Sequence, residues 1–173
     1  MHDDRPSKTA FRVALRRAAH QVLDEPRVFE DPLALAIVGA DAGDLRSDEK
    51  SQDRVSRIMR AFMAARSRYA EDGLAAAFES GTRQYVVLGA GPESLDPVRR
   101  QALEALAARV AAAGEPFQTF FDPPELEAEL RRLGFVSFED LGTEGINARY
   151  FNGRADGLRA GGGIGRLMKA RVG

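Results

Sequence analysis

The stretch Tyr85-Val86-Val87-Leu88-Gly89-Ala90-Gly91 decides the expected fold, because an unbroken apolar run passes directly into a pair of glycines. Consecutive apolar residues of this kind are typical of a buried strand in a parallel sheet. The glycines permit a tight turn and a close approach of the backbone to a ligand. Since ligands of doubly wound α/β folds bind beyond the carboxyl ends of strands, this turn is a candidate ligand loop. Taken alone, the motif fits an ordinary tight turn equally well.

A nucleotide-type site needs a second part, an acidic residue about 20 positions later that binds the ribose hydroxyls. Here that window falls at Val110-Ala111-Ala112, within an Ala-rich segment that predicts a helix. Glu104 and Glu115 lie nearby, but neither ends a predicted strand. Either the glycine loop is not a cofactor site, or the strands that should follow it are missing from the chain.

Working outward from this stretch, apolar periodicity and helix-boundary residues predict five helices. They run from Ser7 to Leu23, from Asp31-Pro32 to Gly39, from Arg54 to Glu79, from Asp96-Pro97 to Gly114 and from Asp122-Pro123 to Gly134. Residues 40–53 are predicted to form a loop. Arg166–Val172 is basic, and a helix is one interpretation of it.

Strands are predicted at Tyr85–Leu88, Phe135–Leu141 and Ile146–Phe151, and Phe117–Phe121 is either a short strand or an aromatic loop. Together these elements predict an α/β fold, with N-terminal helices packed on a small, mainly parallel sheet. We expect residues 1–80 to form a helical cap and lead-in, and residues 81–173 to form the core.

Composition excludes several classes of protein. The 173 residues suffice for one domain, and the net charge of −1 gives no field that would recruit nucleic acid. Without cysteine there is no disulfide or thiolate metal site. No apolar run approaches the roughly 20 residues that span a bilayer, and the polar start has no signal segment. We therefore expect a cytoplasmic protein with neither membrane nor nucleic-acid partners.

Several polar residues are candidates for chemistry. His2 and His20 lack metal-ligand spacing, so we expect neither a metal site nor a catalytic histidine. The arginines of the first helix are expected to be solvated, and the apolar stripe of the long helix to lie in the core. The former are Arg12, Arg16 and Arg17; the latter are Val55, Ile58, Met59, Phe62 and Met63.

A polar cluster near the C-terminus admits two interpretations. Its members are Asn147, Arg149, Tyr150, Arg154 and Asp156. In the first interpretation, some of these side chains line the pocket that binds the substrate. In the second, an Arg–Asp pair holds the last strand to the core. The structural interpretation is the favoured one.

Segments along nearly the whole chain resemble the leucine-carboxyl-methyltransferase-like family of bacterial methyltransferases, in the order in which that family has them. They are Ser7–Ala10, Phe29–Ala34, Ala65–Asp72, Tyr85–Gly91, Ala113–Phe117 and Asn147–Leu158. The resemblance implies a Rossmann-like class I methyltransferase fold, S-adenosylmethionine as cofactor, and O-methylation of a carboxylate or small-molecule acceptor.

The resemblance also implies site residues. Lys8 and Arg66 match the family's basic positions for the methionyl carboxylate, and Gly89, Ala90 and Gly91 would line the amino-acid end of the cofactor. Arg149, Tyr150 and Arg154 are the expected substrate-binding residues. No catalytic residue is assigned, because the cofactor is already activated and an ionised carboxylate acceptor needs no general base.

The chain departs from the family at Gly91-Pro92, where an Asp-Thr segment and several strands should follow. At about 30 residues for each βαβ unit, four lost strands amount to roughly 100 residues. A real deletion, an error in the gene prediction or a break in the numbering would each explain this. A complete chain of this length is expected to bind the cofactor weakly or not at all.

Three hypotheses about function remain open. The first is an active methyltransferase, and the second is a shortened relative without catalysis that acts as a binding or assembly module. A nicotinamide-dependent oxidoreductase is disfavoured, because Gly89-Ala90-Gly91-Pro92 lacks a third glycine and the acidic partner. If the deletion is real, the exposed edge of the Tyr85–Leu88 strand predicts a covering helix or a homodimer with swapped elements.

Overall fold

The structure, a computed structural model, describes residues 7–83, 91–92, 97–112, 114, 116–117, 120–163 and 165–173. The predicted strand at Tyr85–Leu88, together with Gly89 and Ala90, lies outside these described residues. The prediction of an unpaired strand edge there lies outside them as well.

Eight helices and four strands make up the regular structure of the described residues. In chain order they are α1 (Lys8–Leu23), α2 (Ala34–Val38), α3 (Ala42–Ser47), α4 (Glu49–Gln52), α5 (Arg54–Glu79), β1 (Gly91–Pro92), α6 (Pro97–Ala112), β2 (Phe120–Phe121), α7 (Pro123–Arg132), β3 (Phe135–Leu141), α8 (Thr143–Tyr150) and β4 (Leu167–Val172).

Local capping chemistry explains why several predicted boundaries are confirmed. Ser7 precedes α1, and its side chain accepts a hydrogen bond from the amide of Ala10 at 2.9 Å. Asp122 caps α7 in the same manner. Each oxygen satisfies a donor that the first helical turn leaves unpaired. Gly39 ends α2 in the left-handed conformation, with φ of 62°, which glycine adopts without steric cost.

Two predictions made for α2 and its surroundings were wrong. Residues 40–53 are not a loop but contain α3 and α4, because Asp41 and Asp48 each cap a short helix with their side chains. The helix predicted to begin at Asp31-Pro32 begins instead at Ala34. The Asp31 carboxylate accepts a hydrogen bond from the amide of Leu33 through Oδ1, at 3.3 Å, and forms an ion pair with Arg17 through Oδ2.

Two predictions near the C-terminus were also wrong. Ile146–Phe151 is not a strand, since α8 covers it as far as Tyr150 and buries Ile146 completely. Arg166–Val172 is not a helix, since Leu167–Val172 forms β4. β4 pairs antiparallel with β3 from Leu141↔Leu167 to Phe135↔Val172, and this pairing overrides the weak local preference of a basic segment.

The predicted mainly parallel sheet is not what the described residues show. β1 and β2 do pair in parallel, Gly91 with Phe120 and Pro92 with Phe121, and α6 connects them as in a βαβ unit. The longer pairing, β3 with β4, is antiparallel. The described residues are therefore helix-rich, with two small two-stranded sheets.

The chain divides into two compact units. The first unit comprises Met1–Arg68 and Asn147–Gly161, and the second comprises Tyr69–Ile146 and Gly162–Gly173. The predicted division between residues 80 and 81 concerns a cap and a core of the family fold, and it stays a prediction.

In the first unit, α1, α2 and α3 pack around Ala18, Ala34 and Leu45. α5 contributes mostly small residues to the interior, namely Ala61, Met63, Ala64 and Ala65. The predicted stripe on α5 was therefore partly wrong, because Val55 is 69% exposed and Met63 alone of its members is fully buried.

In the second unit, polar contacts join the antiparallel β3–β4 sheet to Tyr69 of α5. The Tyr69 hydroxyl donates to Glu139 Oε2 at 2.9 Å, and Lys169 Nζ lies 3.3 Å from the same oxygen. The guanidinium of Arg131, on α7, lies 4.4 Å from the centre of the Phe138 ring of β3. These contacts fix the orientation of the β3–β4 sheet.

Candidate functional site

Arg17, on α1, is held on two sides in the first unit. Its Nη2 lies 2.7 Å from Asp31 Oδ2, and its guanidinium lies 5.2 Å from the centre of the Phe29 ring. Its Nε is buried and has no hydrogen-bond acceptor among the described residues. The expectation that Arg17 is simply solvated was therefore wrong.

Arg66, on α5, carries the second positive charge of this region. The side chain is exposed, and none of the described residues hydrogen-bonds to it or forms an ion pair with it. Partial desolvation lowers the pKa of its guanidinium below the usual value, and the positive charge of Arg17 lowers it further. We call Arg17 and Arg66 the arginine pair. Within the part of the chain that the structure describes, Asp31 is the carboxylate ion-paired to it, and one positive charge of the pair has no counter-ion there.

Side chains of α1 hold the segment that carries Phe29 and Asp31. Gln21 Nε2 donates to the carbonyl of Phe29 at 3.0 Å, and Gln21 Oε1 accepts from the amide of Asp31 at 3.0 Å. His20 Nε2 accepts from the amides of Val28 at 3.1 Å and Phe29 at 3.3 Å. Phe29 and Asp31, which contact Arg17, are thus held in place by His20 and Gln21 in the next turn of α1.

A buried network around Asp24 anchors the start of this segment. Arg60 binds the Asp24 carboxylate through Nε at 2.6 Å and Nη2 at 2.8 Å, and it donates from Nη1 to the carbonyl of Ser51. His20 Nδ1 lies 2.8 Å from Asp24 Oδ2. Because His20 Nε2 accepts two amide protons, Nδ1 carries the ring proton and donates it to Asp24.

The charged form of Asp24 is stabilised within this network. Although burial raises the pKa of the carboxyl group, hydrogen bonds from Arg60 and His20 outweigh that effect and hold the pKa below its usual value. His20, Asp24 and Arg60 are all buried. The network is saturated with partners, so its arrangement is that of a structural anchor.

The residues predicted for the cofactor are placed as follows. Lys8 is the first residue of α1 and is exposed. Arg66 belongs to the arginine pair. Gly91 begins β1, opposite Phe120. Gly89 and Ala90 lie outside the described residues. The assignment of these residues to the cofactor stays a prediction.

The C-terminal polar cluster contains the Arg–Asp pair that was its structural interpretation. Arg154 donates from Nε and Nη2 to the two carboxylate oxygens of Asp156, at 2.9 and 2.5 Å, and from Nη1 to the carbonyl of Pro26 at 2.6 Å. Asn147 exchanges two hydrogen bonds with the backbone of Ala160, at 2.9 and 3.0 Å. Arg154 thereby holds the segment around Pro26 rather than a strand.

An open pocket of about 370 Å³ lies beside this cluster in the first unit. Its walls are Asn147, Ala148, Phe151, Asn152, Gly153, Arg154, Gly157, Leu158 and Arg159. Of the predicted substrate-binding residues, Arg154 lines the pocket, whereas Arg149 and Tyr150 lie on α8 outside its lining. Their role in substrate binding stays a prediction.

Sequence reasoning missed Arg17, Asp24 and Arg60. The spacing of His20 and Asp24, four residues apart at the end of a helix, is a signal that could have suggested their contact. Arg60 lies 36 residues from Asp24 in the sequence, and no local sequence pattern predicts a contact over that separation.

Part of this chain is similar in sequence to known methyltransferases. A sequence model of the family described as leucine carboxyl methyltransferase matches residues 10–109. A protein of Parafrankia sp. (strain EAN1pec), named as a candidate S-adenosyl-L-methionine-dependent methyltransferase, is 35% identical over 125 residues. That alignment covers 62% of this chain and 40% of the relative, so the chain spans well under half of the relative's length. No solved structure matches the chain significantly.

Proposed function

Because this chain belongs to the leucine carboxyl methyltransferase family, we propose that the protein transfers a methyl group from S-adenosyl-L-methionine to an oxygen of a carboxylate or other small-molecule acceptor. The observation that carries the proposal is the family match, which begins in α1, includes Arg17 and Arg66, and ends in α6. The matched relative from Parafrankia supports the choice of cofactor by its name. Neither comparison supports the alternative of an inactive binding module.

The arginine pair fits the anionic end of this cofactor. The methionyl part of S-adenosylmethionine ends in a carboxylate, and guanidinium groups bind carboxylates through parallel N–H donors. Arg66 offers an exposed guanidinium without a partner among the described residues. In the proposed site Arg66 binds this carboxylate, and Lys8 contributes a second cation, as the family resemblance implies.

The cofactor, when bound, supplies an activated methyl group on a sulfonium. A carboxylate acceptor is ionised near neutral pH, since ordinary carboxyl groups have pKa values of about 4. The residues of the protein therefore have to orient two ligands and exclude water, rather than remove a proton. This is why the proposal needs no general base.

Isothermal titration calorimetry with S-adenosylmethionine and S-adenosylhomocysteine tests the proposal directly. Because neither comparison supports an inactive relative, we expect micromolar binding by the 173-residue chain, with its length confirmed by mass spectrometry, in place of the weak or absent binding predicted from the sequence. Arg66→Ala should weaken binding by about tenfold or more, whereas Arg54→Ala, an exposed arginine of the same helix, should not. Absence of binding would contradict the proposal and favour the inactive alternative.

A second assay addresses the acceptor. Methyl esters of carboxylates hydrolyse in alkali and release methanol, whereas methyl ethers do not. With radiolabelled S-adenosylmethionine and a panel of carboxylate acceptors, we expect transferred label that alkali releases as volatile methanol. If the transferred radioactive methyl group is not released by alkali, the acceptor is not a carboxylate, although the protein is still a methyltransferase.

A further inference from the structure

The open pocket beside the C-terminal polar cluster has room for a small ligand and carries an excess of positive charge. Its volume of about 370 Å³ lies within the range of roughly 300–1,000 Å³ that small-molecule sites occupy. Among the described residues that line it, Arg154 and Arg159 are charged and none is acidic. Since Arg154 is neutralised by its ion pair with Asp156, Arg159 supplies the net charge of the pocket.

The two arginines of the pocket differ in what they can still bind. Arg154 donates from Nε, Nη1 and Nη2 to the Asp156 carboxylate and the carbonyl of Pro26, and its side chain is only 7% exposed. Arg159 is exposed, and none of the described residues hydrogen-bonds to it or forms an ion pair with it. Its guanidinium can therefore bind an anion in the open space of the pocket without losing a partner in the protein.

The backbone on both sides of Arg159 is fixed. Leu158 is 2% exposed, and its amide donates to Asp156 Oδ1 at 3.1 Å. Ala160 is 1% exposed and exchanges two hydrogen bonds with the side chain of Asn147, at 2.9 and 3.0 Å. The side chain of Arg159 thus starts from a held point of the pocket wall, which lowers the entropy lost when it binds a ligand.

The loop that precedes Arg159 is fastened to two other parts of the first unit. Arg154 Nη1 donates to the carbonyl of Pro26 at 2.6 Å, and Arg57 Nη2, from α5, donates to the carbonyl of Asp156 at 2.8 Å. These contacts hold the pocket wall in place whether or not a ligand is bound. Arg154 is accordingly a positioning residue of this pocket, and Arg159 is its available cation.

We propose that the pocket binds the methyl acceptor and that Arg159 binds the carboxylate of that acceptor. This inference rests on the proposed function, because it takes the ligand to be the acceptor. One unpaired guanidinium matches a ligand with a single negative charge, and its parallel N–H donors suit a carboxylate. Asn152 also lines the pocket and offers an exposed amide that has no partner among the described residues.

Methyl transfer removes the charge that Arg159 recognises. The carboxylate oxygen gains the methyl group, and the electron pair of the broken methyl–sulfur bond stays with sulfur. The resulting ester is neutral and no longer forms an ion pair with a guanidinium. The same contact therefore favours binding of the acid over binding of its methylated product.

The test is a titration of the isotope-labelled 173-residue chain, followed by amide NMR at constant ionic strength. The probes are acetate, phenylacetate and phenylacetamide, the last being a neutral compound of nearly the same shape as phenylacetate. We expect both carboxylates to shift the amide signals of Gly153 and Leu158, which line the pocket. Phenylacetamide should bind about tenfold more weakly than phenylacetate, because it cannot form the ion pair.

Substitution of the arginine tests the assignment to one residue. Arg159→Gln should weaken phenylacetate binding by about tenfold or more, while calorimetry shows an unchanged affinity for S-adenosylhomocysteine. Arg12→Gln, an exposed arginine of α1 outside the pocket lining, is the matched control and should change neither affinity.

The outcomes separate this inference from the proposed function. If the wild type binds S-adenosylhomocysteine but the carboxylates shift no pocket signal, or Arg159→Gln leaves phenylacetate binding unchanged, only this inference is overturned. Equal affinities for phenylacetate and phenylacetamide also overturn it, and that comparison uses the unaltered protein. An equal loss of both ligands in Arg159→Gln overturns it, because the residue would then act on the fold. If the wild type binds neither S-adenosylmethionine nor S-adenosylhomocysteine, the proposed function fails, and the assignment of the pocket to a methyl acceptor fails with it.

Discussion

Substitution of Arg60 by methionine should destabilise the protein more than any surface change on the same helix. Arg60 is 3% exposed and supplies two of the hydrogen bonds that Asp24 receives, at 2.6 and 2.8 Å. Arg60→Met keeps much of the apolar stem but removes every donor. Asp24, itself 5% exposed, would be left as a buried carboxylate with His20 as its remaining side-chain hydrogen-bond partner among the described residues.

Breaking one side of a buried ion pair costs about 3–5 kcal/mol, because the remaining charge stays desolvated. A domain of ordinary stability has about 5–15 kcal/mol in total. With a urea dependence of about 2 kcal/mol per M, the midpoint of unfolding should fall by about 2 M. This shift is large enough to exceed any uncertainty in the extrapolation.

The assay is urea unfolding at pH 7, followed by far-ultraviolet circular dichroism. Arg54→Met, an exposed position on α5, serves as the matched control and should change the free energy of unfolding by less than about 0.5 kcal/mol. The double substitution Asp24→Leu with Arg60→Met should recover much of the loss, because no unpaired charge remains. A midpoint for Arg60→Met equal to that of the control would refute the reasoning.

The same network has a predictable pH dependence. The pKa of Asp24 is lowered in the folded protein, so its contribution to stability is present above the unfolded value of about 4. That contribution is lost as the pH falls through the folded pKa. In Arg60→Met the buried Asp24 carboxyl group is more stable when it is protonated, because Arg60 no longer compensates its negative charge. The stability difference between wild type and variant should therefore narrow below about pH 4, and a constant difference would contradict this account.

Three further substitutions test other contacts by thermal unfolding. Asn147→Asp places a carboxylate oxygen against the carbonyl of Ala160 in place of a donor, and it should cost about 1–3 kcal/mol; an unchanged melting temperature would show that the contact contributes nothing. Tyr69→Phe removes the 2.9 Å hydrogen bond to Glu139 and should cost about 1 kcal/mol, so an unchanged melting temperature would contradict this contact. Gly39→Ala imposes a side chain at a φ of 62° and should cost about 1–2 kcal/mol, so a stability equal to wild type would argue against a left-handed end of α2.

Local chemistry made several elements predictable from the sequence. Ser7 and Asp122 mark the starts of α1 and α7, and Gly39 marks the end of α2, because each acts on backbone groups a few residues away. The bounds of α5 and β3 were predicted as the structure has them, from apolar periodicity together with boundary residues such as Gly134. The identification of the family also came from sequence, since it depends on the order of several segments.

Elements whose conformation depends on distant partners were predicted wrongly. A basic segment became β4 because its backbone pairs with β3, and Ile146 became part of a helix because one face of α8 is buried. Both outcomes depend on contacts that no window of neighbouring residues contains. A short apolar run is ambiguous between helix and strand until its burial is known.

The sequence by itself determined the family, the main helices and Arg66 as a candidate for the cofactor carboxylate. Only the tertiary structure showed that Arg17 forms an ion pair with Asp31, and that Asp24 joins His20 to Arg60. The physical reason is the range of the interactions. Capping and periodicity act over one or two turns of chain, whereas the ion pairs of this region join residues farther apart, 14 positions for Arg17 and Asp31 and 36 positions for Asp24 and Arg60.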